Sequence, residues 1–168
     1  MIMRAMLMSL CLFLCGCMLQ STEPLFSDAE GKPLLKSYGE NFVTYTMVKG
    51  KWEKEKDQIK FAPADNHYIV HSEKSDIAVL FVPLNDKWWV MQASEQGQSS
   101  TYLLAQAQAK SVMFYFLACK DLKAMSGIEG AITFDKKDCT ATSKMTKIKF
   151  LELTKHTGAG EMKIEATK

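Results

Sequence analysis

Residues 77–93 read IAVLFVPLNDKWWVMQA, and this stretch decides the fold. Ile77 to Leu84 is apolar on both faces, rich in β-branched and aromatic residues, and too short for an ordinary helix. Asn85-Asp86 is a tight-turn signal, and Lys87 to Ala93 supplies a second strand, so the two runs form a β-hairpin. Pro83 has no amide hydrogen to give to a ladder and belongs near a strand end or at an edge. Successive strand residues point to opposite faces. Trp89, Met91 and Ala93 then turn toward the core. Trp88, Val90 and Gln92 share the other face, a candidate interface where it is exposed and ordinary core where a helix covers it.

Strand signals extend on both sides of this hairpin. Asn41 to Val48 is rich in β-branched and aromatic residues and is punctuated by Lys49-Gly50. Gln58 to Phe61 and His67 to Ser72 are shorter candidates, the latter after the turn signal Asp65-Asn66. Ser99 to Gln106 and Ser111 to Ala118 pair through a turn near Ala109-Lys110, although the Ala-Gln repeats also suit a helix. Ser111 to Ala118 is again apolar on both faces, as expected of a strand covered from both sides. Cys119 to Met125 reads as a short helix, and Ala131 to Phe134 as a strand ending at the 135–138 turn. Ser143 is placed to cap a helix reaching about His156 and stopped by Gly158. The same run is open to a second reading, as a strand in a hairpin with Met162 to Ala166. The expected fold is α+β, an antiparallel meander with one or two packed helices; an all-β sandwich is the alternative.

The amino terminus carries a different signal. Arg4 precedes an apolar run from Ala5 to Phe13 interrupted by Ser9, and Leu14-Cys15-Gly16-Cys17 follows. A charged start, a brief apolar run and small residues at a cleavage point describe a secretory signal. The run is shorter than the roughly 20 apolar residues that spanning a bilayer needs. The LCGC tetrad resembles the lipobox of bacterial lipoproteins. That resemblance implies a diacylglycerol on the Cys17 sulfur, cleavage before Cys17 and acylation, typically palmitate, of the new amino group. It also implies a place in the cell envelope. Met18 stands where the inner-membrane-retaining Asp of enteric lipoproteins would be, which favours the outer membrane over the inner. The resemblance covers these four residues and implies nothing about the rest of the chain.

Three segments follow from this: a signal over residues 1–16, a lipidated tether over residues 17–36, and one globular domain over residues 37–168. Mixed Ser, Thr, Asp and Gly, with Pro24 and Pro33, make the second segment read as a tether. Cysteines 11, 15 and 17 lie at the amino terminus, which leaves Cys119 and Cys139. An even pair in an exported domain reads as a disulfide, stabilising by roughly 3 kcal/mol for a loop of about 20 residues. The other reading, a catalytic thiol beside a histidine, finds no supporting motif.

Charge limits the partners. The chain has 21 Lys+Arg against 19 Asp+Glu, and Arg4 is its only arginine. Nucleic-acid binding calls for a strong basic excess, so no nucleic-acid partner is expected. The sign alternation in KGKWEKEKDQIK, residues 49–60, reads as a solvated face. His67 and His71 are spaced to share a metal on a helix, but on a strand they stand roughly 13 Å apart. No phosphate loop, nucleophile elbow or zinc-protease motif is present, and no metal or cofactor is expected. The function expected is a lipid-anchored, non-catalytic envelope protein that binds another envelope protein or supports an assembly. The competing readings are an inhibitor or immunity-type protein against a cell-wall-degrading enzyme, and a periplasmic enzyme of unassigned class.

Overall fold

The computed structural model describes residues 18–72, 75–95 and 99–167. The expected signal and Cys17 lie outside the described residues. In chain order the strands are β1 (Gln20–Ser21), β2 (Asn41–Val48), β3 (Lys51–Lys60), β4 (Ala62–Ala64), β5 (His67–His71) and β6 (Asp76–Pro83). They continue as β7 (Trp88–Glu95), β8 (Ser100–Ala107), β9 (Ser111–Phe116), β10 (Ile132–Asp135), β11 (Asp138–Ala141) and β12 (Met162–Ala166). Two short helices, α1 (Cys119–Leu122) and α2 (Lys147–Leu153), join single 3-10 turns at 28–30, 34–37 and 154–156.

Nine strands form one curled antiparallel path in the order β3-β2-β12-β9-β8-β7-β6-β5-β4, and β1, beside β8, carries β11 and β10, with β1 and β11 parallel. The chain is therefore mostly antiparallel β. An all-β description fits at least as well as α+β, and a single rolled sheet takes the place of the two stacked sheets of a sandwich. The expected hairpins are present. β6 pairs with β7 from Ile77–Glu95 to Pro83–Trp89, and Pro83 is the last residue of its strand. The Asn85 side chain accepts hydrogen bonds from the amides of Lys87 (2.9 Å) and Trp88 (2.8 Å), which closes the turn. β8 and β9 pair as expected around a turn at 108–110.

Alternation along these strands builds two cores. The hollow of the roll holds Phe42, Phe61, Tyr68, Phe81, Met91, Leu103, Phe114 and Ile164. Tyr68 meets both Phe61 and Phe81 edge-on, at 6.2 and 6.0 Å between ring centroids. The outer face of β6 to β9 holds Leu80, Val82, Val90, Tyr102, Leu104 and Tyr115, covered by Leu19, Phe26, Leu122, Met145, Phe150 and Leu153.

Several expectations are corrected. Residues 18–36 are not a tether. Leu19 and Leu35 are fully buried, and Met18, Phe26 and Leu34 are nearly so. Pro24 and Pro33 limit regular structure there to the short β1 and two 3-10 turns but do not prevent apolar side chains from docking. The helix expected from Ser143 begins later, at Lys147 after Thr146. Met145 is drawn into the core first, in a turn whose amide donates to the Thr142 carbonyl at 2.9 Å. Phe150 and Leu153 then face inward while Ile148 is 72% exposed. Met162–Ala166 makes no hairpin with that segment; it lies between β2 and β9. Finally, Lys51–Lys60 is a full ten-residue strand and not merely a solvated face. Lys49 (φ 49°) and Gly50 (φ 78°) turn the chain back from β2 with the left-handed pair that a two-residue hairpin loop requires.

Candidate functional site

The junction next to the LCGC tetrad is built from chain ends brought together over long distances. β8 is forked: residues 103–107 pair with β9, while Ser100 and Thr101 pair with β1. Leu19 sits in the fork, its amide donating to the Leu117 carbonyl (2.9 Å) and its carbonyl accepting from the Tyr102 amide (3.1 Å). Met18, the residue after Cys17, bridges to Ala118. Beyond β1 the chain is held by side chains that reach out of the sheet. The Tyr102 hydroxyl meets Ser21 Oγ at 2.6 Å and accepts from the Leu25 amide at 3.0 Å. Burial pushes the Tyr102 phenol up from its usual range, partly offset by its bonds to Ser21 and Leu25.

The disulfide expected from the sequence is present, with Cys119 and Cys139 joined across Cα atoms 5.4 Å apart. Both are almost fully buried. Cys119 directly follows Ala118, which holds Met18, and Cys139 adjoins Thr140, which pairs in parallel with Gln20. The crosslink thus ties together the segments on either side of the amino-terminal strand. β10 and β11 form a hairpin here, with Phe134 (38% exposed) opposite Cys139.

The three residues named as a possible interface do not form an exposed one. Val90 is fully buried and Gln92 is 5% exposed. Gln92 accepts from the Phe26 amide and donates to the Phe26 carbonyl, both at 3.0 Å, so it is the fastening point of the amino-terminal segment. Trp88 is half-buried, its ring 5.0 Å from that of Tyr115. The cover over this face comes from residues 18–35 as well as from α2, which is why helix prediction alone does not foresee it.

His67 and His71 both lie on β5, and each stands beside its own carboxylate: Asp28 at 3.6 Å for His67, Asp76 at 2.6 Å for His71. Among the described residues no group of three His, Cys, Asp or Glu stands together to hold a metal ion, and no helix is long and apolar enough to cross a membrane.

One surface escaped the sequence reading. The outer face that is covered over β6 to β9 continues uncovered across β12, β2 and β3. The register aligns Lys163 with Tyr45, and Tyr45 with Lys54; Met47 faces Trp52. Lys163 Nζ stands 4.6 Å over the Tyr45 ring and 5.3 Å over the Trp52 ring, and its ion pair with Glu165 measures 2.6 Å. Alternation sorts the charges of β3: Lys54 and Lys56 point outward, while Glu53 lies opposite Thr46 on the inner face and Glu55 accepts from the Thr46 hydroxyl at 3.0 Å. The signal was present in the sequence, because sign alternation at period two separates charges on a strand and mixes them on a helix. Compared with protein-family models, curated proteins and solved structures, this chain finds no match.

Proposed function

We propose that the chain is a lipid-anchored envelope protein, acylated at Cys17, that acts by contact with another envelope protein and not by catalysis. The observation that carries this reading is the sequence Leu14-Cys15-Gly16-Cys17 at the end of a short apolar run. The buried Cys119–Cys139 disulfide supports it, since such crosslinks persist in oxidising compartments outside the cytoplasm. The packing of Met18 and Leu19 adds a geometric consequence. With Cys17 as the acylated residue, the domain begins at the very next position and is held close to the bilayer without a spacer. The outer membrane is the proposed address, on the strength of Met18 following the cysteine.

Intact-mass analysis of protein extracted from the membrane fraction tests the reading. A chain beginning at Cys17 with added acyl groups is expected, and Cys17→Ser is expected to abolish that product. A soluble chain starting elsewhere overturns the proposal.

A further inference from the structure

The geometry points to a second membrane contact: the lysine–aromatic face of β12, β2 and β3 binds the anionic headgroups of a lipid bilayer. The inference rests on the anchoring reading above for its location, but on separate residues for its chemistry. Lys54 and Lys56 are exposed on this face, and Lys49 is exposed at the tip of the β2–β3 turn, while Lys51, opposite Val48, has the alternation of the inner side. Tyr45 and Trp52 lie half-buried among them. Of the acidic residues nearby, Glu165 shares the face and is paired with Lys163, and Glu161 lies beside Met47 at its border with β9, its carboxylate accepting from the Phe116 amide, whereas Glu53 and Glu55 belong to the inner side. The carboxylates of this face are thus engaged with Lys163 and the Phe116 amide, while Lys54 and Lys56 stand exposed beside the aromatic rings. Clustered lysines are attracted to anionic lipid, and Tyr and Trp are enriched at headgroup depth. Lysine stems can lie along apolar surface while their ammonium groups reach the phosphates.

Position agrees with chemistry. Met18 is held by Ala118, two residues beyond the end of β9, and β9 is the direct neighbour of β12. Lys163 and Met113 stand opposite each other, so the face is continuous with the outer layer that contains Leu19. At a strand spacing of about 4.8 Å and a rise of about 3.3 Å per residue, the Tyr45–Lys163 cluster lies roughly 10–15 Å across the sheet and about 17 Å along it from the point where Met18 meets Ala118, about 20 Å in all. A lipid at Cys17 would bring this face within reach of the same bilayer.

The test uses the full chain in phosphatidylcholine vesicles with and without phosphatidylglycerol, with lysine acetylation rates read by mass spectrometry. Lys49, Lys54 and Lys56 are expected to be acetylated about fivefold more slowly when phosphatidylglycerol is present. Lys110, in the β8–β9 turn, should be unaffected. High salt is expected to remove the protection. Replacing both outward lysines (Lys54→Glu with Lys56→Glu) should abolish it at Lys49, whereas Glu53→Gln on the inner face should not. Equal rates in the two vesicle types overturn the inference, as does protection that arises only when another envelope protein is added. The mass of the amino-terminal peptide is measured on the same sample. An acylated Cys17 without lysine protection overturns the lysine-face inference alone. Protection with an unmodified Cys17 supports that inference while overturning the anchor.

Discussion

Ser21 and Tyr102 place their hydroxyl oxygens 2.6 Å apart, joining the first strand of the described chain to the forked strand at the centre of the sheet. Tyr102 is fully buried, and its hydroxyl also accepts from the Leu25 amide. Tyr102→Phe keeps the ring and its contact with Phe150, 5.7 Å between centroids, while stranding those partners. The expected loss is about 1–2 kcal/mol in denaturant unfolding. Amide exchange at Leu25 should quicken more than exchange at Leu103.

The crosslink has a separate signature. Cys139→Ser, or reduction of Cys119–Cys139, should lower stability by about 2–4 kcal/mol, because the bond closes a loop of 20 residues' separation. Melting with and without reductant measures the loss. Non-reducing peptide mapping should recover the two cysteines as one linked pair.

Gly31 tests the docking of the amino-terminal segment by sterics alone. Its φ of −67° suits any residue. A methyl group there, however, would overlap the Asn66 carbonyl oxygen and the Leu80 side chain. Backbone at Asn66 cannot yield cheaply, so Gly31→Ala is expected to cost about 1–3 kcal/mol by thermal denaturation. An unchanged melting temperature would show that residues 27–36 are not held as described.

Acid should loosen the same segment. The Glu30 carboxyl is held below the ordinary carboxylate value, first by the Ser27 amide and also by Lys147, 3.2 Å away on α2. A lowered folded-state pKa contributes stability that is fully present above the unfolded value and is lost as pH falls through the folded one. The loss therefore sets in below about pH 4.5. The group is partly exposed and solvent-screened, so the contribution at neutral pH is at most about 1 kcal/mol. In Glu30→Gln this component of the acid dependence should disappear from stability curves measured against pH.

Sequence was a good guide where burial on both faces left little choice. Ile77 to Pro83 and Ser111 to Phe116 had to be interior strands, and Asn85 had to turn the first of them. It was a poor guide where packing overrode composition. Pro24 and Pro33 made residues 18–36 look like a spacer, yet Leu19, Phe26 and Leu35 fill gaps in the outer layer and the roll that no local rule discloses. Lys51–Lys60 looked soluble because its charges balance along the chain, but in an extended strand they balance only between two faces. Val90 and Gln92 were correctly assigned to a common face. What covers that face comes from far away in sequence, through the hydrogen bonds between Gln92 and Phe26.

The fork in β8 also dictates an order of events as the chain folds. β1 precedes the other described strands, yet its partners Thr101 and Thr140 lie in the second half of the chain. Until those are in place Leu19 has no fork to occupy. Once β8, β9 and β11 are assembled and the crosslink has formed, Met18 and Leu19 are withdrawn into the wall of the roll. The strand that comes first in the sequence is thus among the last to be seated.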